Sequence, residues 1–310
     1  MSPKATESND VFKSRNCPNC GSSFGRAITT VSRAKTPAEE TTFDFVKESF
    51  VGFRKGQLFF TFRRCSDCKL CYSQNYFTSI QLKELYGSMP DNSAGEDVAT
   101  LSRTQSKYVS ELKKRVEMGN SWLDIGADIG LLGNALRRQG VTNVDAIEPN
   151  IEVHRQLSIN LGSTGLIGTD WKTFEINKYE GIAAVHVLDH FEELSDELAR
   201  VYEHLVPGGY FFAVVHNEKS LLRFLLGTRW PPFCLQHPQL FSKLTLRRTL
   251  ENHGFTVMSV GRTTNYFSLQ HLVSVGSRIF GLPSKLEKIT PGFVIPFKFG
   301  NIFIIGQKPL

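Results

Sequence analysis

Nowhere does the sequence run apolar for the roughly 18–20 residues that a membrane-spanning helix requires. The opening M-S-P-K-A-T-E-S-N-D is polar and lacks the apolar core of a secretory signal, so the cytosol is the expected compartment. Cysteine is scarce, six in 310 residues, too few for a disulfide-stapled scaffold. In a reducing compartment such cysteines are ligands or free thiols. Excess charge is small as well: the net +6 falls entirely before residue 116, and the remainder is balanced. That is no strong nucleic-acid footprint, because metal-bound thiolates in the basic third would cancel part of it. It does mark a boundary near residue 115.

With 41% hydrophobic and 21% charged residues the composition is that of an ordinary globular protein, and the length favours two domains. In the first third, Cys17-Pro-Asn-Cys20 and Cys65-Ser-Asp-Cys68 form two C-x-x-C pairs, a set of four thiolates suited to one tetrahedral zinc ion. The long spacer between them carries two aromatic-rich runs, residues 41–53 and 57–64, with Gly56 between. A β-hairpin is expected there, returning the second pair to the first. Such a closed site serves folding rather than chemistry. Cys71 reads as a buried small hydrophobe and Cys234 as isolated and inert. Helical spacing follows over 77–86, ending at Gly87, then a polar loop over 88–97 and a helix over 102–118. The loop and helix are placed to close over a ligand.

Residues 121–130, S-W-L-D-I-G-A-D-I-G, read as a buried strand entering a glycine turn, and the next ten residues as a helix ending at Gly140. Strand, glycine turn and helix together present backbone N–H groups to a nucleotide-like ligand. A second strand over 144–150 carries Glu148 at its end, at about the spacing expected of the acidic residue that accepts from a ribose diol. Further strands are expected near 164–167, 181–188 and 210–215, alternating with helices. The fold class is therefore α/β: a Rossmann-like, doubly wound, mostly parallel sheet, preceded by a small zinc-ribbon-like β domain and a helical linker. Its expected parts are a ribbon over 1–78, a linker over 79–115 and the doubly wound domain over 116–310, with an insertion around 218–242.

The order D-I-G-A-D-I-G, Glu148, Asp170, Y-E-G-I-A-A-V-H-V-L-D-H-F, then L-V-P-G-G-Y before a strand, resembles the class I S-adenosylmethionine-dependent methyltransferases. More narrowly, C-S-D-C-K-L-C-Y, L-K-E-L-Y-G, H-P-Q-L-F-S-K-L-T-L-R-R-T-L-E-N-H-G-F and the final G-N-I-F-I-I-G-Q-K-P resemble bacterial members with an N-terminal zinc ribbon, which serve glycan and secondary-metabolite pathways. The resemblance implies two cofactors, S-adenosylmethionine and structural zinc. It places Asp124, Gly126, Ala127, Asp128 and Gly130 along the methionine part of the cofactor, Glu148 at its ribose, and Asp170 with Trp171 beside its adenine. Asp128 departs from the usual glycine at its position; relatives that modify sugar carbons also have a polar residue there.

Methyl transfer to a hydroxyl needs a base, and histidine titrates in the right range. His190 follows the fourth strand and matches a histidine of the family pattern, and Asp189 beside it could orient it or touch the cofactor. His216 and His237 are the next candidates, while His186 reads as a core or cofactor-wall residue. Residues 220–233 break the strand–helix rhythm, and Arg223, Arg229 and Trp230 there suit a phosphate, carboxylate or sugar ring. The apolar face of that segment, with residues 268–280, also suits peripheral membrane contact. The expected activity is O-methylation of a sugar, glycan or secondary-metabolite hydroxyl. Two alternatives stand beside it: C-methylation of a nucleotide-sugar, and an RNA-binding zinc ribbon on a degenerate methyltransferase domain.

Overall fold

Seven strands order the molecule, and their inward residues explain why. In the computed structural model, which describes residues 12–29, 36–50, 58–87, 97–162, 165–174, 177–280 and 292–310, the strands are β1 Ser121–Ile125, β2 Asn143–Ile147, β3 Ile167–Gly168, β4 Tyr179–Val185, β5 Leu205–His216, β6 Thr256–Arg262 and β7 Asn301–Gln307. They lie in the order β6-β7-β5-β4-β1-β2-β3. Only β7 runs antiparallel to its neighbours, so the sheet is mostly parallel and doubly wound.

Side chains alternate across this sheet with period two. Along β5, Phe211, Ala213 and Val215 join one apolar cluster, while Phe212 and Val214 join the other. One face is covered by helices α1 Val98–Lys113, α2 Leu131–Arg138 and α3 His154–Leu161, the other by α4 Leu194–His204 and α5 Lys243–Asn252. Asp97 caps α1 by accepting from the N–H groups of Ala99 and Thr100, both at 3.2 Å. Among the described residues no helix is long and apolar enough to cross a membrane.

Trp122, fully buried on β1, lies against the neighbouring strand at Gly181, where a Cβ would stand 2.1 Å from its indole ring. Gly181→Ala must therefore push the indole from its site. The expected cost is about 1–3 kcal/mol in a denaturant titration, the usual range for overpacking; an unchanged midpoint would show that the ring moves freely.

The N-terminal region departs from the expected hairpin. Residues Phe43–Phe50 form a helix, because Phe43, Val46 and Phe50 recur at helical spacing and all three are buried. Strand Phe62–Cys65 instead pairs with Gly25–Thr29, before the helix, and Gly56 lies outside the described residues. Cys71–Ser73 and Gln239–Leu240 complete an antiparallel four-stranded sheet. Gln239–Leu240 belongs to the insertion after β5, so the ribbon region borrows a strand from the doubly wound part. Helix Ser79–Gly87 stands where helical spacing placed it; most of the loop at 88–97 lies outside the described residues.

Candidate active site

The carboxyl ends of the parallel strands gather the residues singled out by the sequence, as expected for ligand sites in open α/β sheets. At the end of β1 the chain turns through Gly126 (φ +71°), Asp128 (φ 49°) and Gly130 (φ +80°) into α2. Gly126 is required twice over, since a Cβ there would also stand 2.4 Å from Val187 Cγ2. The N–H groups of Gly126 and Ala127 both donate to the Ile147 carbonyl, which ties the turn to the end of β2. Asp128 adopts the left-handed conformation that aspartate tolerates better than most side chains. Its backbone N–H donates to Glu148 Oε2 at 2.8 Å, and Asn150 N–H donates to Oε1 at 2.8 Å. The residue that stands in for a glycine thus fixes the carboxylate opposite it.

Asp124 lies at the end of β1, 2% exposed, with Oδ2 lacking a hydrogen-bond partner among the described residues. Burial first, then the charges of Glu148 and Asp128, push its carboxyl up to about 8, against the Gly133 N–H of α2. Beyond Glu148 a cavity of about 890 Å³ opens, lined by His154, Gly168, Thr169, Asp170 and Phe174 among others. Asp170 is exposed at its mouth. Trp171 is not part of the lining: it is 7% exposed and packs under α4, with the Arg200 guanidinium 5.2 Å over its ring.

Next to the glycine turn, the loop after β4 assembles a cluster of imidazoles. His186 enters it at φ 57°, and His190 N–H donates to the Val187 carbonyl, the same valine that meets Gly126. The turn and the cluster therefore share a wall. Asp189, 0% exposed, receives His216 Nδ1 on Oδ2 at 2.7 Å, while its Oδ1 has no hydrogen-bond partner. Burial would raise this carboxyl, but the His216 N–H and the surrounding imidazoles outweigh it and hold it well below the ordinary carboxylate range. Burial in turn lowers His216, against the pull of Asp189. Its side chain keeps 24% exposure, so the ring reaches solvent while its partner does not.

His190 and His237 face each other with Nε2 atoms 3.1 Å apart. Burial, reinforced by His237, lowers His190 to about 3. His237 is raised to about 9: its own burial opposes this, but Cys234, Asp189 and the Pro232 carbonyl prevail. The two environments therefore push the paired rings in opposite directions.

A methyltransferase-domain family model matches residues 99–260, more than half of the sequence and the whole stretch from α1 to β6. The chain belongs to that family. Solved structures show the same fold. A candidate methyltransferase from Bacillus halodurans C-125 shares 14% identity over 66% of this chain and 100% of its own, with a TM-score of 0.50. A chain from the complex between the Haloferax volcanii Trm112 methyltransferase activator and its candidate methyltransferase shares 16% identity over 68% of this chain and 93% of its own, also at 0.50. Curated proteins give no match. The protein is an S-adenosylmethionine-dependent methyltransferase.

Three contacts of the imidazole cluster were not visible in the sequence. Tyr86, from the helix before the doubly wound part, sets its hydroxyl 3.4 Å from His190 Nδ1. Cys234 is not isolated, since its Sγ is 3.2 Å from His237 Nδ1. Gln239, fully buried, donates from Nε2 to the carbonyls of Leu188 and Phe191 and pins the loop that carries Asp189 and His190. The insertion residues fall differently from expectation. Trp230 is 1% exposed in an aromatic cluster with Phe233, Arg223 lies 4.4 Å over the Phe233 ring, and Arg229 is exposed.

Away from the cluster, Cys17, Cys20, Cys65 and Cys68 bring their sulfurs within 4.8 Å of one another, with Cys17–Cys68 at 3.4 Å and Cys20–Cys65 at 3.6 Å. Cys71 is buried apart from them among Phe59 and Phe62.

Proposed function

We propose that the enzyme moves the methyl group of S-adenosylmethionine in line onto a hydroxyl of a sugar, glycan or secondary metabolite, with His216 as the base. The observation that carries this is the 2.7 Å bond between His216 Nδ1 and the buried Asp189. A carboxylate at Nδ1 fixes the tautomer, leaving the other ring nitrogen to accept the hydroxyl proton as the oxygen attacks. His190 and His237, locked to each other, position the acceptor rather than take its proton. The acceptor class rests on the resemblance of the sequence to glycan-modifying and secondary-metabolite enzymes. Supplying S-adenosylmethionine with a 13C-labelled methyl group to panels of sugar nucleotides, glycans and hydroxylated metabolites tests it. A transferred methyl on oxygen is expected; one on carbon or nitrogen would overturn the O-methyl reading.

The residues present fit the cofactor. Asp124 offers a buried, unpartnered carboxylate oxygen for the ammonium group of the methionine part, Glu148 an acidic pair of acceptors for the ribose, and the cavity beside Asp170 room for the adenine. Bound there, S-adenosylmethionine supplies an activated methyl group; the chain's own task is alignment. With a pKa of about 8, Asp124 is mostly protonated in the free protein at pH 7. A cationic ligand favours its charged form, so binding below pH 8 should release a proton, and affinity should rise with pH up to about 8 and then level off. Calorimetry in buffers of different ionisation heat reads this directly. Proton uptake, or no exchange, would remove Asp124 from the cofactor site.

The four cysteines fit structural zinc. Sulfurs about 2.3 Å from a tetrahedral ion stand about 3.8 Å apart, close to the separations here. On this reading residues 1–78 form the ribbon unit, 79–115 the linker and 116–310 the catalytic part.

A further inference from the structure

Asp189 and the two facing imidazoles have a geometry that methyl transfer to a hydroxyl does not by itself require. His190 Nε2 and His237 Nε2 are 3.1 Å apart, and one donor atom each of Asp189, His190 and His237 lie within 4.8 Å of one another. Imidazole nitrogens about 2.0–2.1 Å from one ion stand roughly 3.0–3.4 Å apart for angles between octahedral and tetrahedral. The outer ring atoms are held as metal-binding histidines usually are, with the second nitrogen engaged elsewhere. His237 Nδ1 donates to the Pro232 carbonyl at 2.8 Å, and His190 Nδ1 meets the Tyr86 hydroxyl at 3.4 Å. Asp189 is anchored through Oδ2 to His216, while Oδ1 is buried and without a hydrogen-bond partner. The neighbouring set His186, Asp189 and His216 is a poorer choice, because the 2.7 Å gap between His216 and Asp189 is a hydrogen bond with no room for an ion between them.

We propose that Asp189, His190 and His237 form a second metal site, distinct from the four cysteines, for a divalent first-row transition ion such as zinc. Two imidazoles and one carboxylate suit that class of ion and leave coordination positions open to an oxygen ligand. Its binding does not depend on the methyl-transfer reading; its role does. The site shares Asp189 with the proposed base. An acceptor hydroxyl bound to the ion would be acidified, its proton would pass to the free nitrogen of His216, and its oxygen would take the methyl group as the sulfonium S–CH3 bond breaks and S-adenosylhomocysteine leaves. No electron changes hands, and the ion stays divalent.

The test uses the full-length protein and cobalt(II) alone as the probe. Protein saturated with zinc and passed over a desalting column is expected to hold two ions per chain, and one in the His190→Ala/His237→Ala double variant. After mild chelation that leaves the cysteine site filled, cobalt(II) should restore the second ion with weak visible absorption and no thiolate charge-transfer band. Each single variant, including the gentler His237→Asn, should weaken cobalt binding by at least about tenfold, and Tyr86→Phe by roughly tenfold. S-adenosylmethionine titration of the same samples reports separately on fold and cofactor binding. One ion per chain in the wild type, meaning the two rings share a proton only, or two ions in wild type and double variant alike, overturns the site. Cofactor binding that persists in that case leaves the methyl-transfer reading standing.

Discussion

His216→Ala is expected to lower kcat by about 10²- to 10⁴-fold while leaving S-adenosylmethionine affinity unchanged, the span usual for loss of a general base. The ring is the one imaginable base in the cluster with both an orienting carboxylate and access to solvent. Asp189 holds its Nδ1 at 2.7 Å, and the side chain keeps 24% exposure, whereas His190 and His237 face each other with Nε2 atoms 3.1 Å apart. Alanine removes the proton acceptor without touching the glycine turn, so a cofactor titration should give the same affinity before and after. A variant that turns over at the wild-type rate would take His216 out of the chemistry.

Cys65→Ser is expected to cost folding of the N-terminal region and, with it, activity. Structural zinc contributes on the order of 10 kcal/mol of apparent binding free energy that is also folding free energy. The loss should reach the candidate site because the N-terminal region packs into the doubly wound part. Cys17, Cys65 and Cys68 belong to the same apolar cluster as Leu198, Phe211 and Ala213 of the doubly wound part. Arg15 donates to the carbonyls of Ser73, Glu192 and Pro238, bracing the loop after Asp189 and the residue after His237 at once. The Pro18 carbonyl, inside the first knuckle, receives the Ser195 hydroxyl of α4 at 2.8 Å. Metal content, hydrogen exchange over residues 12–29 and 58–78, and turnover should therefore fall together. A variant with unchanged exchange and melting would mean that the cysteines hold no structural ion.

The doubly wound part was legible because its signals are local. Strand β1 and its glycine turn are bounded by Gly119 and Gly130, and the alternation of β5 splits its residues cleanly between the two faces. Residues 43–50 suit a strand by the alternation of Phe43 and Phe45; the helix is specified by Phe43, Val46 and Phe50, three and four residues apart on one helical face. Asp128 could not be judged from residue type alone. Its value depends on a left-handed φ and on a bond to Glu148, which belong to the folded turn. The imidazole cluster was legible only as a set of strand-end histidines. What makes it a site is contact between residues far apart in sequence, Tyr86 with His190 and His190 with His237 beside Asp189, and no local pattern encodes that. The family resemblance places Trp171 beside the adenine, and the broken strand–helix rhythm offers Trp230 to an acceptor. Both are instead needed in the core, beneath α4 and beside Phe233.

A calorimetric titration of the zinc-loaded protein with S-adenosylmethionine tests the central claim most directly. One cofactor per chain is expected, with binding lost or sharply weakened in Glu148→Ala and with a proton released below pH 8 in the wild type alone among it and Asp124→Asn. Well-folded, metal-loaded protein that binds no S-adenosylmethionine would contradict the account.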